Sequence, residues 1–224
     1  MGHDSELGAS QNYGRIEYAY SLMAKAAGMH MADCRLLKEN GRAHFMTRRF
    51  DRDDNKKHHM QSLCAMSHLD YKQKATHDYS SLYLTIIKLQ LGQKALEEAF
   101  LRMVFNVMSA NCDDHSKNIS FLLKEGGNWE LSPAYDVTHA YNPQGEWTSQ
   151  HLMSVNGKFI GITHGDFMAV ADRFAVGRAE KLIRKAAEAI TAWPEFAAQA
   201  ELPAAETNAI SSHHKLHSPF AAGK

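Results

Sequence analysis

The segment that most constrains the fold is AFLRMVFNVMSA, residues 99–110. Between Phe100 and Met108, only Arg102 and Asn106 interrupt a run of apolar side chains. A helix on the surface of a globular protein carries an apolar stripe on one side, whereas a helix that is apolar nearly all round is buried. The sequence therefore predicts a central, buried helix around which other elements must pack.

Further helices and short hairpins are predicted around this segment. The spacing of Ile16, Tyr20, Met23 and Ala27 indicates an amphipathic helix that ends at Gly28. Asn-Gly and Gly-Gly pairs are typical of hairpin turns, and such pairs stand at residues 40–41, 126–127 and 156–157. More helices are predicted on both sides of Gly92 and over about 164–174 and 177–192. The predicted fold class is mainly α with short β-hairpins (α+β).

Composition narrows the class of protein. A chain of 224 residues can bury a substantial core, and its 25 acidic and 25 basic residues balance, so no net charge draws it to nucleic acid or a membrane. It shows neither a bilayer-spanning apolar stretch nor a signal peptide. Its three cysteines, Cys34, Cys64 and Cys112, include no CxxC pair, which argues against a disulfide framework or a zinc site. We expect a cytoplasmic protein with no membrane partner.

A dense polar octet, NCDDHSKN, follows the buried segment at residues 111–118. It is either a metal or phosphate site or a surface turn that is rich in polar residues. Asp113 and Asn118 are spaced as in the catalytic loop of protein kinases, and Asp136 follows the next predicted hairpin, where kinases place a second metal-binding Asp. Magnesium prefers oxygen ligands in octahedral geometry, and a base must lie within hydrogen-bond reach of the attacking hydroxyl. One loop and the end of one hairpin can supply all three groups.

Three separated stretches carry a resemblance to a known family. NCDDHSKN, the later WELSPAYDVTHAY and the earlier FMTRRFDR resemble, in the right order, the signature stretches of the HipA-like kinases, which are the toxins of bacterial toxin–antitoxin pairs. NPQGEWTSQHLMSVNGK also resembles a stretch from one branch of these proteins. The resemblance covers roughly residues 14–200. It implies a kinase-like C-terminal lobe that transfers phosphate from Mg-ATP to Ser or Thr.

The resemblance also implies roles for particular residues. Asp113 matches the catalytic base, and Asn118 and Asp136 match the magnesium ligands, whereas Asp114 stands at a variable position and is assigned no catalytic role. The remaining matched positions hold the adenine at the inter-lobe hinge (Arg48, Arg49 and Phe50) or line the nucleotide (His115, Lys117 and Tyr135). Two other interpretations stay open: the arginines as a solvated charge run, and His115 as a structural histidine.

One departure from the family concerns its N-terminal lobe. No glycine-rich phosphate loop and no strand lysine precede Gly14, although Glu17 matches the helix glutamate that would pair with that lysine. We expect this lobe to be largely missing and the chain to be weakly active alone, and a truncation or a separate chain that supplies the lobe stays open. The expected division is a disordered segment (1–13), a remnant of the inter-lobe helix, hairpin and hinge (14–52), the helical C-lobe (53–200) and a disordered tail (201–224).

Partners follow from the resemblance alone. It implies a helix-turn-helix antitoxin of the HipB type, with DNA contacted only through that antitoxin. It further implies a protein substrate from translation, such as an aminoacyl-tRNA synthetase.

Two other classes of function are kept. The chain could be a non-catalytic, kinase-like interaction module. It could also be a helical metal-dependent phosphohydrolase that gathers His58, His59, His77, Asp78 and the Asp113–His115 stretch around a metal.

Overall fold

The computed structural model describes residues 12–216. The disorder expected for residues 1–11 and 217–224 lies outside the described residues. The helices are α1 (Tyr13–Ala27), α2 (Leu63–Met66), α3 (Ser80–Lys88), α4 (Gly92–Met108), α5 (His164–Arg173), α6 (Ala179–Thr191), α7 (Trp193–Gln199) and α8 (Ala204–His213). The strands are β1 (Cys34–Glu39), β2 (Arg42–Thr47), β3 (Arg52–Asp53), β4 (Lys56–Lys57), β5 (His59–Ser62), β6 (His77–Asp78), β7 (Ser120–Leu123), β8 (Trp129–Leu131) and β9 (Met153–Ser154).

The predicted central helix is α4, and it is buried as expected. Phe100, Met103 and Phe105 are fully buried, and α4 packs against α3 and α6. Its buried arginine is compensated, because the Arg102 guanidinium donates to Glu98 Oε1 at 2.8 Å and to the Ser132 carbonyl oxygen at 2.8 Å. Such pairing is what allows a charge to be buried. The apolar run therefore fixes the centre of the molecule.

Helix α1 confirms the periodicity argument. The four residues predicted to share a face are all buried (Ile16, Tyr20, Met23 and Ala27). Gly28 ends the helix with a φ of 93°, a left-handed conformation that glycine adopts without strain. The helix packs on α6 and α7, so it closes one side of the core.

The strands form four small sheets. β1 and β2 pair antiparallel around the predicted turn at residues 40–41, with Cys34 opposite Thr47. β5, β7 and β8 form a three-stranded sheet, and its β7–β8 hairpin contains the predicted Gly126–Gly127 turn. The pairs β3–β4 and β6–β9 have only two residues per strand. The charged stretch at residues 51–59 thus holds a minimal hairpin, β3–β4, and the start of β5.

The expectation that the C-terminal tail is disordered is wrong for residues 204–213, which form α8. The chain returns to the core there: the Trp193 indole donates to the Thr207 carbonyl oxygen at 3.0 Å, and Ile210 is buried. Just past α8, the Lys215 amide donates to the Met108 carbonyl oxygen at 2.8 Å, at the end of α4. A helix of ten residues with one buried apolar side chain carries too little periodicity to be recognised.

No helix within residues 12–216 is both long and apolar enough to cross a membrane.

Candidate functional site

The polar octet begins where α4 stops. Ala110 takes a left-handed φ of 57°, which turns the chain back toward the core. The Asn111 amide nitrogen donates to the Asn106 carbonyl oxygen at 2.9 Å, and the Cys112 amide donates to the Ala140 carbonyl oxygen at 3.1 Å. A 3-10 helix, Ser116–Asn118, then leads into β7. The loop is thus held at both ends by regular structure, which limits how far its side chains can move.

Asp113 and Asn118 are joined within this loop. The Asn118 side-chain nitrogen donates to the Asp113 backbone carbonyl at 3.0 Å, which leaves the amide oxygen as the end able to meet a cation. Asp113 Oδ1 is buried and has no hydrogen-bond partner among the described residues. The nearest cationic candidate, His115 Nε2, lies 3.6 Å away, beyond hydrogen-bond length. A buried carboxylate oxygen without a hydrogen-bond partner is rare in folded proteins and is typical of a group that binds a ligand.

Asp136 reaches the same place from the other side. It follows the segment in which the Ala134 amide donates to the His30 carbonyl oxygen at 2.7 Å, and it has a φ of 56°. This conformation is uncommon for a residue other than glycine, and such backbone often marks a functional position. Asp113, Asn118 and Asp136 all line one cavity of about 30 Å³, close to the volume of one water molecule.

The donor set in this cavity fits magnesium. The Asp136 carboxylate and the Asn118 amide supply hard oxygen ligands, and Mg²⁺ binds through one or two carboxylates while keeping several waters. The unpartnered Asp113 Oδ1 adds an acceptor that no described protein group uses. The structure thus brings together the three residues that the sequence placed in catalysis and metal binding, and their roles stay predictions.

The residues expected at the nucleotide divide into two groups. Tyr135 donates to the Lys117 carbonyl oxygen at 2.6 Å, and its ring centroid lies 5.6 Å from that of Phe50, so the expected hinge and the candidate metal site are neighbours. Arg48 lines a cleft of about 290 Å³ beside β1 and β2. The Arg49 side chain points to solvent, where it pairs with Asp51 at 2.7 Å.

Lys117 and His115 meet an aromatic residue that the sequence did not single out. The ammonium of Lys117 lies 4.1 Å from the centre of the Tyr71 ring, and the His115 ring stands edge-on to it at 5.8 Å. Tyr71 comes from the irregular segment between α2 and β6. Its contact with the octet depends on tertiary packing, and no local pattern around Tyr71 predicts it.

Glu17 is also drawn into the site. Burial, and secondarily the negative charge of Asp136, raise the pKa of the Glu17 carboxyl from 4.5 to about 7. Glu17 lines a cleft of about 720 Å³ between the start of α1 and the β1–β2 turn. Among the groups that set its pKa, the Glu17 carboxyl thus meets the negative charge of Asp136 and no cation.

The side chain that sequence reasoning undervalued most is Asp114. Its carboxylate is fully buried and accepts hydrogen bonds from the Tyr79 hydroxyl (2.9 Å), His151 Nδ1 (2.9 Å) and the Leu152 amide (2.8 Å). The two adjacent carboxylates thus differ. Asp113 has an oxygen without a hydrogen-bond partner among the described residues, whereas Asp114 is fixed by three hydrogen bonds. The partners of Asp114 lie more than thirty residues away, so the sequence contains no local signal for them.

The ingredients of the alternative phosphohydrolase are not gathered. His58 pairs with Asp53 at 2.8 Å, whereas His77 bonds the Asp70 carbonyl oxygen at 2.6 Å. Within residues 12–216, no group of three or more His, Cys, Asp or Glu side chains could hold a metal ion.

A buried helix that leads into a loop with Asp113 and Asn118, then a hairpin and Asp136, defines the fold as a protein-kinase-like C-terminal lobe of the HipA type. The chain belongs to the family of HipA-like C-terminal domains, whose sequence model matches residues 4–194. This confirms the resemblance carried by the three motifs.

Two solved structures share the fold. HipA from Shewanella oneidensis MR-1, determined in complex with HipB and its operator DNA, is 18% identical over 88% of this chain, with a TM-score of 0.67. The proinflammatory kinase CtkA of Helicobacter pylori is 12% identical over 91% of this chain and 84% of its own, with a TM-score of 0.54. The chain spans about half of the Shewanella protein, 52% of its length. At these identities the likeness concerns the fold.

Proposed function

We propose that the chain is the catalytic lobe of a Mg-ATP-dependent serine/threonine protein kinase of the HipA-like kind. The observation that carries the proposal is the convergence of Asp113, Asn118 and Asp136 on one ion-sized cavity in a kinase-like fold. Phosphoryl transfer requires little covalent chemistry from the protein and depends on positioning and charge neutralisation. A loop held at both ends and a strained carboxylate opposite it supply that positioning.

In this proposal each side chain has one task. Asn118 and Asp136 would hold magnesium, which when bound would neutralise charge on the phosphates of ATP. Asp113 accepts the proton of the substrate hydroxyl at its carboxylate, and its unpartnered Oδ1 makes it an available acceptor. Asp114 holds the loop in place through its three hydrogen bonds.

The nucleotide would lie between the hinge and the octet. The Phe50 and Tyr135 rings are neighbours at 5.6 Å and could flank the adenine. Lys117 is exposed and could turn from Tyr71 to a phosphate as a point charge. We propose further that full activity requires the N-terminal lobe of such kinases. The lysine of that lobe would stabilise the charge of the Glu17 carboxyl, whose pKa is raised in this chain.

The proposed setting is a cytoplasmic toxin–antitoxin pair. The structure of Shewanella HipA contains HipB and operator DNA, and we propose a helix-turn-helix antitoxin of that type for this chain, with DNA contacted only through the antitoxin. The proposed substrate is a Ser or Thr of a translation protein such as an aminoacyl-tRNA synthetase.

The first test is Mg-ATP binding by calorimetry. Asp136→Asn keeps a residue that tolerates the left-handed backbone but removes a charged ligand, so magnesium-dependent binding should be lost. Exposed Asp172 on α5 provides the control, and Asp172→Asn should bind as wild type does. Binding that survives in Asp136→Asn would contradict the metal assignment. Failure of the wild type to bind would favour the interaction module.

A second test addresses the base. With its antitoxin absent and a substrate protein present, Asp113→Asn should lower phosphoryl transfer by about 10²–10⁴-fold. Mg-ATP binding should be nearly unchanged, because Asp113 is not needed to hold the metal in this proposal. Transfer at the wild-type rate in Asp113→Asn would overturn the role of Asp113.

A further inference from the structure

A second cluster of reactive side chains lies behind the octet. Cys112 Sγ is 3.9 Å from His151 Nε2, and His151 Nδ1 is 2.9 Å from Asp114 Oδ2. Cys112 is 4% exposed and His151 6%, so bulk water scarcely competes for these contacts. A nucleophile, an imidazole and an orienting carboxylate in this order form the arrangement that activates cysteine nucleophiles. The proposed kinase function uses neither Cys112 nor His151.

The electrostatics of the cluster favour a charged pair. Burial by itself lowers the pKa of His151, but the charge of Asp114 and the contacts with Asp114 and Cys112 outweigh it and raise the pKa from 6.5 to about 10. The imidazole therefore carries a proton at neutral pH. A protonated imidazole beside a thiol favours the thiolate, which is the nucleophilic form of cysteine.

The cluster opens onto a cavity of its own. Cys112 and His151 line a space of about 400 Å³, within the usual range for small-molecule sites. Its walls include the apolar side chains of Val107, Phe159 and Ile162. The metal cavity is a different one, lined by Asp113 and Asp114 but not by Cys112 or His151. The second cavity therefore suits a small, mainly apolar compound.

We propose that Cys112 is a covalent-modification site at which the thiol, paired with His151, adds to a small apolar α,β-unsaturated carbonyl compound held in this cavity. With the proton of the charged pair on His151 Nε2, the sulfur attacks as the thiolate and forms a bond to the β-carbon. The electrons of the carbon–carbon double bond move to the α-carbon, which takes the proton from Nε2. No group leaves and nothing is oxidised, so the step needs no co-reactant. Asp114 is a positioning residue that orients His151.

The two other cysteines provide internal controls. The Cys34 thiol donates to the Ala32 carbonyl oxygen at 3.2 Å, and the Cys64 thiol donates to the Leu69 carbonyl oxygen at 3.0 Å. Both thiols thus bond a carbonyl oxygen and have no imidazole beside them in these contacts. Both residues are also more exposed than Cys112. If exposure decides the reactivity, Cys112 should be the slowest of the three cysteines to react. If the contact with His151 decides it, Cys112 should be the fastest.

The test is competitive labelling of the full chain with substoichiometric N-cyclohexylmaleimide at pH 7, read by peptide mass spectrometry. Cys112 should react at least tenfold faster than Cys34 and Cys64. Labelling in the order of exposure would overturn the proposal.

His151→Gln separates activation from simple access. If His151 activates the thiol, the variant should label Cys112 at least tenfold more slowly at pH 7. A purely structural His151 would give the reverse, because loosened packing exposes the thiol and speeds its labelling. Asp114→Asn should slow the labelling of Cys112 in the same way but to a smaller extent. Labelling needs neither nucleotide nor phosphoryl transfer, so its outcome is independent of the proposed kinase function.

Discussion

Two neighbouring carboxylates in the octet have opposite environments. Asp113 lines the cavity that Asn118 and Asp136 share, and its Oδ1 has no hydrogen-bond partner among the described residues. Asp114 is buried on the other side of the loop and accepts three hydrogen bonds. Both residues lie in the irregular segment before the 3-10 helix, so neighbouring residues of one loop serve a cavity on one side and an anchor on the other.

We expect these two residues to differ sharply in their contribution to stability. Asp114→Ala leaves the Leu152 amide and the buried His151 without their acceptor, and breaking a buried pair in this way costs about 3–5 kcal/mol. Asp113→Ala removes a carboxylate oxygen that accepts no hydrogen bond, so the free energy of unfolding should change by less than about 1 kcal/mol. Urea denaturation of both variants measures the difference. Equal losses would show that the two carboxylates are not divided in this way.

Spacing predicts the members of the site but not its surroundings. The five-residue interval between Asp113 and Asn118 and the hairpin before Asp136 are visible in the sequence, and the structure places all three at one cavity. The proximity of Phe50 to Tyr135 and of Asp114 to His151 results from packing between distant segments. No local pattern encodes such pairs.

At the level of elements, the first turn of α1 lies directly against the β1–β2 hairpin. Gly14 has no side chain there, and a Cβ at this position would clash with the Ala43 carbonyl oxygen and approach the Phe45 amide at 3.0 Å. Both are backbone atoms of β2, so no flexible side chain can yield. The same turn carries Glu17 toward Asp136, which means that this close packing also sets the position of Glu17.

Gly14→Ala should therefore destabilise the protein by about 1–3 kcal/mol, as overpacking of a close contact does. Gly165→Ala in α5 is the matched control, because its Cβ would meet only Thr163 Oγ1 at 3.7 Å, an ordinary contact. Alanine also suits a helix better than glycine, so the control should be neutral or slightly more stable. Thermal denaturation of both variants measures the difference in stability. If Gly14→Ala is as stable as the wild type, α1 can shift away from β2 freely.

Elements with a strong local signal are predicted well. The all-apolar run of α4, the one-sided pattern of α1 and the Asn-Gly turn between β1 and β2 each agree with the structure. Strands of two residues carry no period, and β6 pairs in parallel with β9 some 76 residues later. Their existence depends on the finished tertiary structure.

At the scale of the whole molecule, the end of the described chain closes the core against its beginning. Past α8, His214 Nε2 lies 3.1 Å from the Tyr20 hydroxyl of α1, and its ring packs edge-on against Trp193. His213 Nδ1 lies 3.0 Å from His139 Nε2, and the two rings are stacked. The segment that the sequence suggested to be disordered is thus attached through histidines, whose charge depends on pH.

Burial lowers the pKa of His139 from 6.5 to about 3, helped by the neighbouring His213 and His214. Burial and His213 lower the pKa of His214 to about 4. A histidine whose pKa is depressed in the folded protein contributes stability that is present above pH 6.5 and is lost as the pH falls toward the folded value. The closure by α8 should therefore weaken in mild acid, well before the carboxylates titrate.

Lowering the pH from 7.5 to 5.5 should remove about 1 kcal/mol of stability for each of these two histidines. His139→Gln, which cannot take up a proton, should remove its share of this dependence when urea denaturation of wild type and variant is compared at both pH values. Hydrogen exchange should show faster opening of residues 204–213 at pH 5.5. An unchanged pH dependence in His139→Gln would mean that the buried imidazoles do not couple the docking of α8 to pH.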